Sequence, residues 1–400
     1  MELMVTARVG ALRRRSGAAA SDGFDAVRRV LGYARAVGSA PDAGGLLRRA
    51  RLVVAASGDE FLLATFRQLH APADEDAFAT TLGEAHELVA HLDAAGVLAA
   101  PSTFHVRPFA PHIEERSRRV GRVWIAHATF ASTYHPDAAV PGATRYREHT
   151  LNDTVHAWML RQSDSAPWIV CLHGAGMGDP FADMFAFRAT SLHQAGFNVA
   201  IPVLPHHGPR GAGRFTLAFP GDDPVVNCHG AAQAIADVRA LLAYIEERDE
   251  RAVLCGMSLG SYVAAAVSAL EPKLAGVVVG VPVVDIPELL RTHAPPRFAR
   301  HARFEELYDV SRRLDAVTSP IGLGVPATDV RRIWAGLADR LVRPPQVERL
   351  VEHWGLDDAS WYPGGHIGFL GSRAVRRCIS DALVDADVAI RRDGGLRAVA

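Results

Sequence analysis

The sequence predicts an α/β protein with a mostly parallel central sheet and helices on both faces. Two observations carry this. From Trp168 onward, short apolar runs alternate with amphipathic stretches. The runs fit strands at 168–173, 197–204, 251–257, 275–284, 331–337 and 359–363. Among the stretches between them, 229–247 places Ala232, Ile235, Val238, Leu241, Leu242 and Ile245 on one helical face. Strands that are apolar throughout are buried on both faces, as in a parallel sheet covered by helices. The second observation is positional. The residue patterns suited to chemistry all fall at the C-terminal ends of these runs, where open α/β sheets bind ligands.

The elements follow in chain order. Residues 1–21 are rich in Ala, Gly, Ser and Arg and are expected to be partly disordered. Residues 22–100 read as helices. One apolar stripe is Phe24, Val27, Val30, Leu31 and Ala34; another is Leu82, Ala85, Val89 and Leu92, ended by Gly96. Together, 1–118 is expected to form an N-terminal helical appendage, with proline-bearing 101–118 as a linker. Residues 119–400 then form the main domain. It opens with edge strands in Val120–Tyr134 and at Val155–Leu160, separated by Pro136, Pro141 and Gly142. The alternation breaks at about 285–330, where Pro287, Pro295, Pro296 and Pro320 punctuate helical spacings of Phe304, Leu307, Tyr308, Val310 and Leu314. This segment reads as an insertion.

The sharpest local pattern is Gly256-Met257-Ser258-Leu259-Gly260. It follows the apolar run Ala252-Val253-Leu254-Cys255 and precedes a helix of small residues. A serine at a strand-to-helix turn is pushed out of the sheet edge, and the flanking glycines let strand and helix backbones pass closely. The Leu259 N–H then lies at a helix start, where it can donate to an oxyanion. Upstream, Trp168–Leu172 runs into His173-Gly174-Ala175-Gly176-Met177-Gly178. A glycine-rich loop there can supply a second donor, the N–H of Ala175 or Gly174.

A serine needs a base, and the base needs an orienting group. Gly364-Gly365-His366 places a histidine in a glycine-rich turn after a short strand, and Asp339 sits just past the end of the strand at 331–337. The order Ser258, Asp339, His366 is one of the known triad orders. Asp285, just beyond 277–284, is the alternative acid. Met257, His207 and Arg210 are candidates for substrate contact. Arg210 suits a carboxylate or phosphate, or pairs with Asp222 or Asp223 to hold its own loop. A metal at His206, His207 and His229 lacks a carboxylate or cysteine at ligand spacing.

On His173-Gly174, Gly256-x-Ser258-x-Gly260, Gly336-x-x-Asp339 and Gly364-Gly365-His366, the chain resembles the α/β-hydrolase superfamily over roughly residues 119–391. A narrower likeness, in Pro205-His206-His207-Gly208-Pro209-Arg210, is to dienelactone-hydrolase-like and prolyl-oligopeptidase-like esterases, and to a eukaryotic α/β-hydrolase-domain family proposed to act on lipids. The resemblance implies the α/β-hydrolase fold, with 285–330 as a cap. It also implies a serine esterase that works through an acyl-enzyme and needs no cofactor. Acyl transfer, thioester hydrolysis or carbon–carbon cleavage on the same triad, or a non-enzymatic binding role, are the alternatives.

Bulk properties narrow the partners. The chain has 400 residues, 49% hydrophobic and 22% charged, with net charge −1, so no global field draws it to nucleic acid. No apolar segment approaches a membrane span, and the Arg13-Arg14-Arg15 start lacks the apolar run of a signal peptide. Four cysteines without C-x-x-C spacing suggest a reducing compartment. The expectation is a cytoplasmic enzyme for a small acyl substrate. The apolar and arginine-bearing insertion (Arg291, Arg297, Arg300, Arg303) would suit an apolar body with an anionic end, unless those arginines form a solvated face.

Overall fold

The computed structural model describes residues 27–35, 46–69, 75–213 and 218–393. The expected disordered start, 1–21, lies outside them. Among the described residues, nine strands form one sheet: β1 (Glu114–Val120), β2 (Val123–Ala131), β3 (Thr154–Leu160), β4 (Trp168–Leu172), β5 (Asn198–Pro202), β6 (Ala252–Met257), β7 (Gly276–Gly280), β8 (Arg331–Gly336) and β9 (Ser360–Tyr362). Their spatial order is β1-β2-β3-β5-β4-β6-β7-β8-β9. The first three pair antiparallel, and β3 meets β5 antiparallel. From β5 to β9 all pairings are parallel. The sheet starts inside the segment expected as a linker: 114–120 is a polar strand, exposed along most of its length. A half-solvated edge strand has no apolar run to reveal it.

The apolar runs are explained by burial on two faces. Along β4, Trp168, Val170 and Leu172 enter one core, while Ile169 and Cys171 enter the other. β6 and β7 divide in the same way, with Leu254, Val277 and Val279 on one side and Val253, Cys255 and Val278 on the other. The first core is covered by the helices Pro224–Glu246 and Leu259–Leu270, the second largely by Arg373–Asp393. All four cysteines are free and buried.

The outer helices differ in their roles. Glu75–Ala94 buries Phe78, Leu82, Ala85, Leu88, Val89 and Leu92 against Val225, Cys228, Leu307, Val310 and Leu314. It therefore packs on both the 224–246 helix and the helix Phe304–Asp315 of the insertion. The insertion is anchored in turn where the Tyr262 hydroxyl meets the Asp315 carboxylate at 2.8 Å. Leu46–Leu69 instead packs Leu52 against Ala338, in the loop after β8. In the short helix 27–35, Val27 and Leu31 of the expected apolar stripe face solvent and Val30 and Ala34 are half-buried, while Phe24 lies outside the described residues.

After β4 the chain passes outward to β5, then returns across β4 to β6. The strand order reverses there, the position at which open α/β sheets bind ligands beyond the carboxyl ends of their strands. Both the glycine-rich loop after β4 and Ser258 lie at that point.

Candidate active site

Ser258 sits one residue past β6 with φ 53° and ψ −118°. A non-glycine residue at positive φ is strained, and such strain is held only where neighbours over-determine it. Those neighbours are visible. The Ser258 N–H donates to the Gly280 carbonyl at 2.9 Å. Ser261 Oγ donates to the same carbonyl at 2.8 Å and accepts from the Gly280 N–H at 3.0 Å. A Cβ on Gly256 would strike the Gly260 carbonyl, and one on Gly260 the Leu172 carbonyl. The glycines of the motif thus let three backbone segments touch, and Ser258 remains partly exposed.

The three residues expected to form a triad meet. His366 Nε2 lies 3.0 Å from Ser258 Oγ, and His366 Nδ1 lies 2.8 Å from Asp339 Oδ2. The other Asp339 oxygen accepts from the Leu341 and Val342 N–H groups, each at 2.9 Å. A carboxylate held by two backbone donors cannot swing away from the ring. Burial opposes charge on His366, but Asp339, by proximity and hydrogen bond, and Asp59 more than offset it; the imidazole is raised above its ordinary value. Asp285 is elsewhere. It caps the helix Ile286–His293, accepting from the Glu288 N–H at 2.7 Å.

Leu259 opens its helix, so its N–H has no acceptor within that helix. The facing loop is close: a Cβ on Gly174 would stand 3.4 Å from Ser258 Cβ and 3.6 Å from Met177 Sδ. Ala175, next along the loop, is the first residue of its turn. His173 props the loop from below. Its Nδ1 donates to the Gly174 carbonyl at 2.8 Å, and its Nε2 accepts from the Leu204 N–H at 3.1 Å. Burial lowers its pKa to about 4, which keeps the ring neutral. Asp183 accepts from the Gly178 N–H at 3.1 Å and steadies the loop's far end.

All three substrate-contact candidates are buried. Arg210 is fully buried and pairs with Asp237 at 2.8 Å, not with Asp222 or Asp223. Its terminal nitrogens also donate to the Val203 and Asn152 carbonyls, both at 2.8 Å. Asp223 instead caps the helix Pro224–Glu246. Arg210 therefore closes the loop after β5 and offers nothing to an anion. Met257 is buried in the second core. His207 is buried beside His173 and Phe219, its Nδ1 donating to the Pro205 carbonyl at 2.8 Å. The histidines weighed for a metal are occupied separately: His206 with Asn152, and His229 with Tyr134 and the Pro141 carbonyl. In the insertion, Arg291 pairs with Glu305 and Arg303 with Glu306, both at 2.8 Å.

One residue at the site has no counterpart in the sequence reading. Asp59, from the helix Leu46–Leu69, accepts from the His366 N–H with both oxygens, at 2.9 and 2.8 Å. It also accepts from the Arg340 N–H at 2.9 Å.

A strained serine, an imidazole and an anchored carboxylate, set at the reversal of a parallel sheet, define the α/β-hydrolase class. A family model described as the alpha/beta hydrolase family matches residues 169–399, and the chain belongs to that family. It is 41% identical over 301 residues to an uncharacterized protein of Mycobacterium tuberculosis (strain CDC 1551 / Oshkosh), covering 72% of this chain and 71% of that one. Identity is also 41%, over 299 residues, to an uncharacterized protein of Mycobacterium tuberculosis (strain ATCC 25618 / H37Rv), covering 72% and 70% of the two chains. Among solved structures, it is similar to acetyl xylan esterase 1 from Thermoanaerobacterium sp. JW/SL YS485, at 18% identity and a TM-score of 0.49, over 74% of this chain and 93% of that one. Among the described residues, no helix is long and apolar enough to cross a membrane.

Proposed function

We propose that this protein is a serine hydrolase acting on a carboxylic ester-like acyl bond of a small substrate. The observation that carries the reading is the unbroken run of hydrogen bonds from Ser258 through His366 to Asp339. In this reading His366 Nε2 takes the Ser258 proton as Oγ attacks the acyl carbon. The Leu259 N–H and that of Ala175 or Gly174 receive the oxyanion. Asp339 holds the Nδ1–H tautomer and stabilises the imidazolium. His366 then protonates the leaving group and activates the water that releases the acyl-enzyme.

The test is intact-mass analysis after exposure to a fluorophosphonate, comparing wild type with Ser258→Ala. A single adduct on wild type and none on the variant supports an activated serine. A folded wild type that takes no label would overturn the reading. An ester panel of graded acyl length, run with and without added alcohols and thiols, then separates hydrolysis from acyl transfer.

A further inference from the structure

The loops that carry His366 and Asp339 are joined by a side chain from outside the main domain. Asp59 is fully buried, and its carboxylate spans the His366 and Arg340 N–H groups. Each lies in a triad loop, Arg340 being next to Asp339. The contact is tight. A Cβ on Gly365 would stand 2.6 Å from Asp59 Oδ2, so only glycine at that position admits the carboxylate. The neighbouring Glu60 is anchored as well, to Arg29 at 2.8 Å and to Arg340 at 3.3 Å.

An apolar side chain would fill this space at lower desolvation cost. Burial, then the nearby Asp339, pushes the Asp59 carboxyl up to about 6, against the pull of its two backbone donors. The position carries an unfavourable charge, and what that charge engages is the backbone of the proposed base. The ionisable groups around it are His366, Asp339 and Tyr362 from the sheet side, with Tyr33 and the Arg340 guanidinium on the other.

We propose that Asp59 is a positioning residue: it clamps the His366 loop to the Asp339 loop, so Ser258 is fully armed only when the helix Leu46–Leu69 is docked. This rests on the serine-hydrolase reading above. Asp59 acts in two ways. It fixes the His366 backbone within a glycine-rich turn, and it adds a second negative charge beside the ring that becomes cationic during the reaction. The N-terminal helix is then part of the reaction apparatus and not an ornament beside it.

The experiment measures the rate of fluorophosphonate labelling of Ser258 against pH in the full-length chain. Wild type, Asp59→Ala, Asp59→Asn, Gly365→Ala and Asp59→Ala/Gly365→Ala are compared, with folding checked by circular dichroism. Asp59→Ala is expected to slow labelling about 10- to 100-fold, the usual result of a small misplacement of a reacting group. In both Asp59 variants the pH midpoint should fall, because a negative charge that favours the imidazolium is gone. A purely structural contact would lower the rate and leave the midpoint in place. Gly365→Ala should reproduce the loss by displacing the carboxylate, and should cost less in the Asp59→Ala background, where the space is open. If Asp59→Ala does not fold, the near-isosteric Asp59→Asn decides. Wild-type rate and midpoint in the folded Asp59 variants would overturn the proposal while leaving the triad intact. A wild type without Ser258-dependent labelling would remove both.

Discussion

Two buried ionic clusters sit a few strands apart in this molecule, and their chemistry differs. Around Arg210, a permanent cation is closed by the Asp237 carboxylate and two backbone carbonyls, out of reach of solvent. Around His366, two carboxylates, Asp339 and Asp59, flank a titratable ring whose remaining nitrogen faces a partly exposed serine. The first cluster is buried and closed on itself. The second has a titratable ring turned toward a serine hydroxyl. Burial and hydrogen bonding of charge are common to the two. A titratable ring whose second nitrogen meets a partly exposed serine hydroxyl distinguishes the site.

Substitutions should separate the clusters cleanly. The largest effect belongs to Ser258→Ala, which should cut ester turnover by about four to six orders of magnitude; steady-state kinetics with near-normal turnover would dissolve the contrast altogether. Asp339→Asn should follow at roughly 10⁴-fold, through the wrong tautomer of His366, with the fold kept as judged by thermal melting. In the other cluster, Arg210→Met should act on stability, lowering it by about 3–5 kcal/mol because Asp237 is left buried and unpaired. Urea titration measures that loss, and Arg210→Met/Asp237→Leu should recover part of it. Labelling of Ser258 per folded Arg210→Met molecule should fall far less than in Asp339→Asn.

The pH dependence sharpens the comparison further. In the proposed mechanism the neutral ring is the active form, and in the folded protein His366 is raised above its ordinary value of 6.5. The ascending limb of kcat/KM should therefore lie above 6.5, with activity lost as pH falls through it. His173, held neutral to about 4, should contribute no limb in this range. A limb below 6.5 would mean that Asp339 and Asp59 do not outweigh burial at the base. The smallest effect is expected at Asp285→Ala, about 1 kcal/mol from a lost helix cap, with turnover nearly unchanged. A severe kinetic loss there would move the acid to Asp285.

Much of this was legible in the chain alone. Continuous apolar runs revealed the parallel strands because both faces are buried, so every residue of β4, β6 and β7 had to be apolar or small. The serine motif was legible because the close approach of three backbones excludes side chains at Gly256 and Gly260. Asp339 and His366 were found because each follows a recognisable strand. The polar edge strand β1 was not, since an exposed strand carries no burial signal.

What required the fold were the pairings across long stretches of chain. No periodicity says that Arg210 meets Asp237 and not Asp222 or Asp223; a buried cation takes whichever acid the packing presents. Asp59 is the clearest case. It lies 307 residues before His366, and the only trace in the sequence is a pair of acids, Asp59-Glu60, within a helix that also packs apolar residues. Local patterns record what each segment does to its own backbone and its own burial. A contact between a distant helix and a loop leaves no mark in either segment until tertiary packing brings the two together.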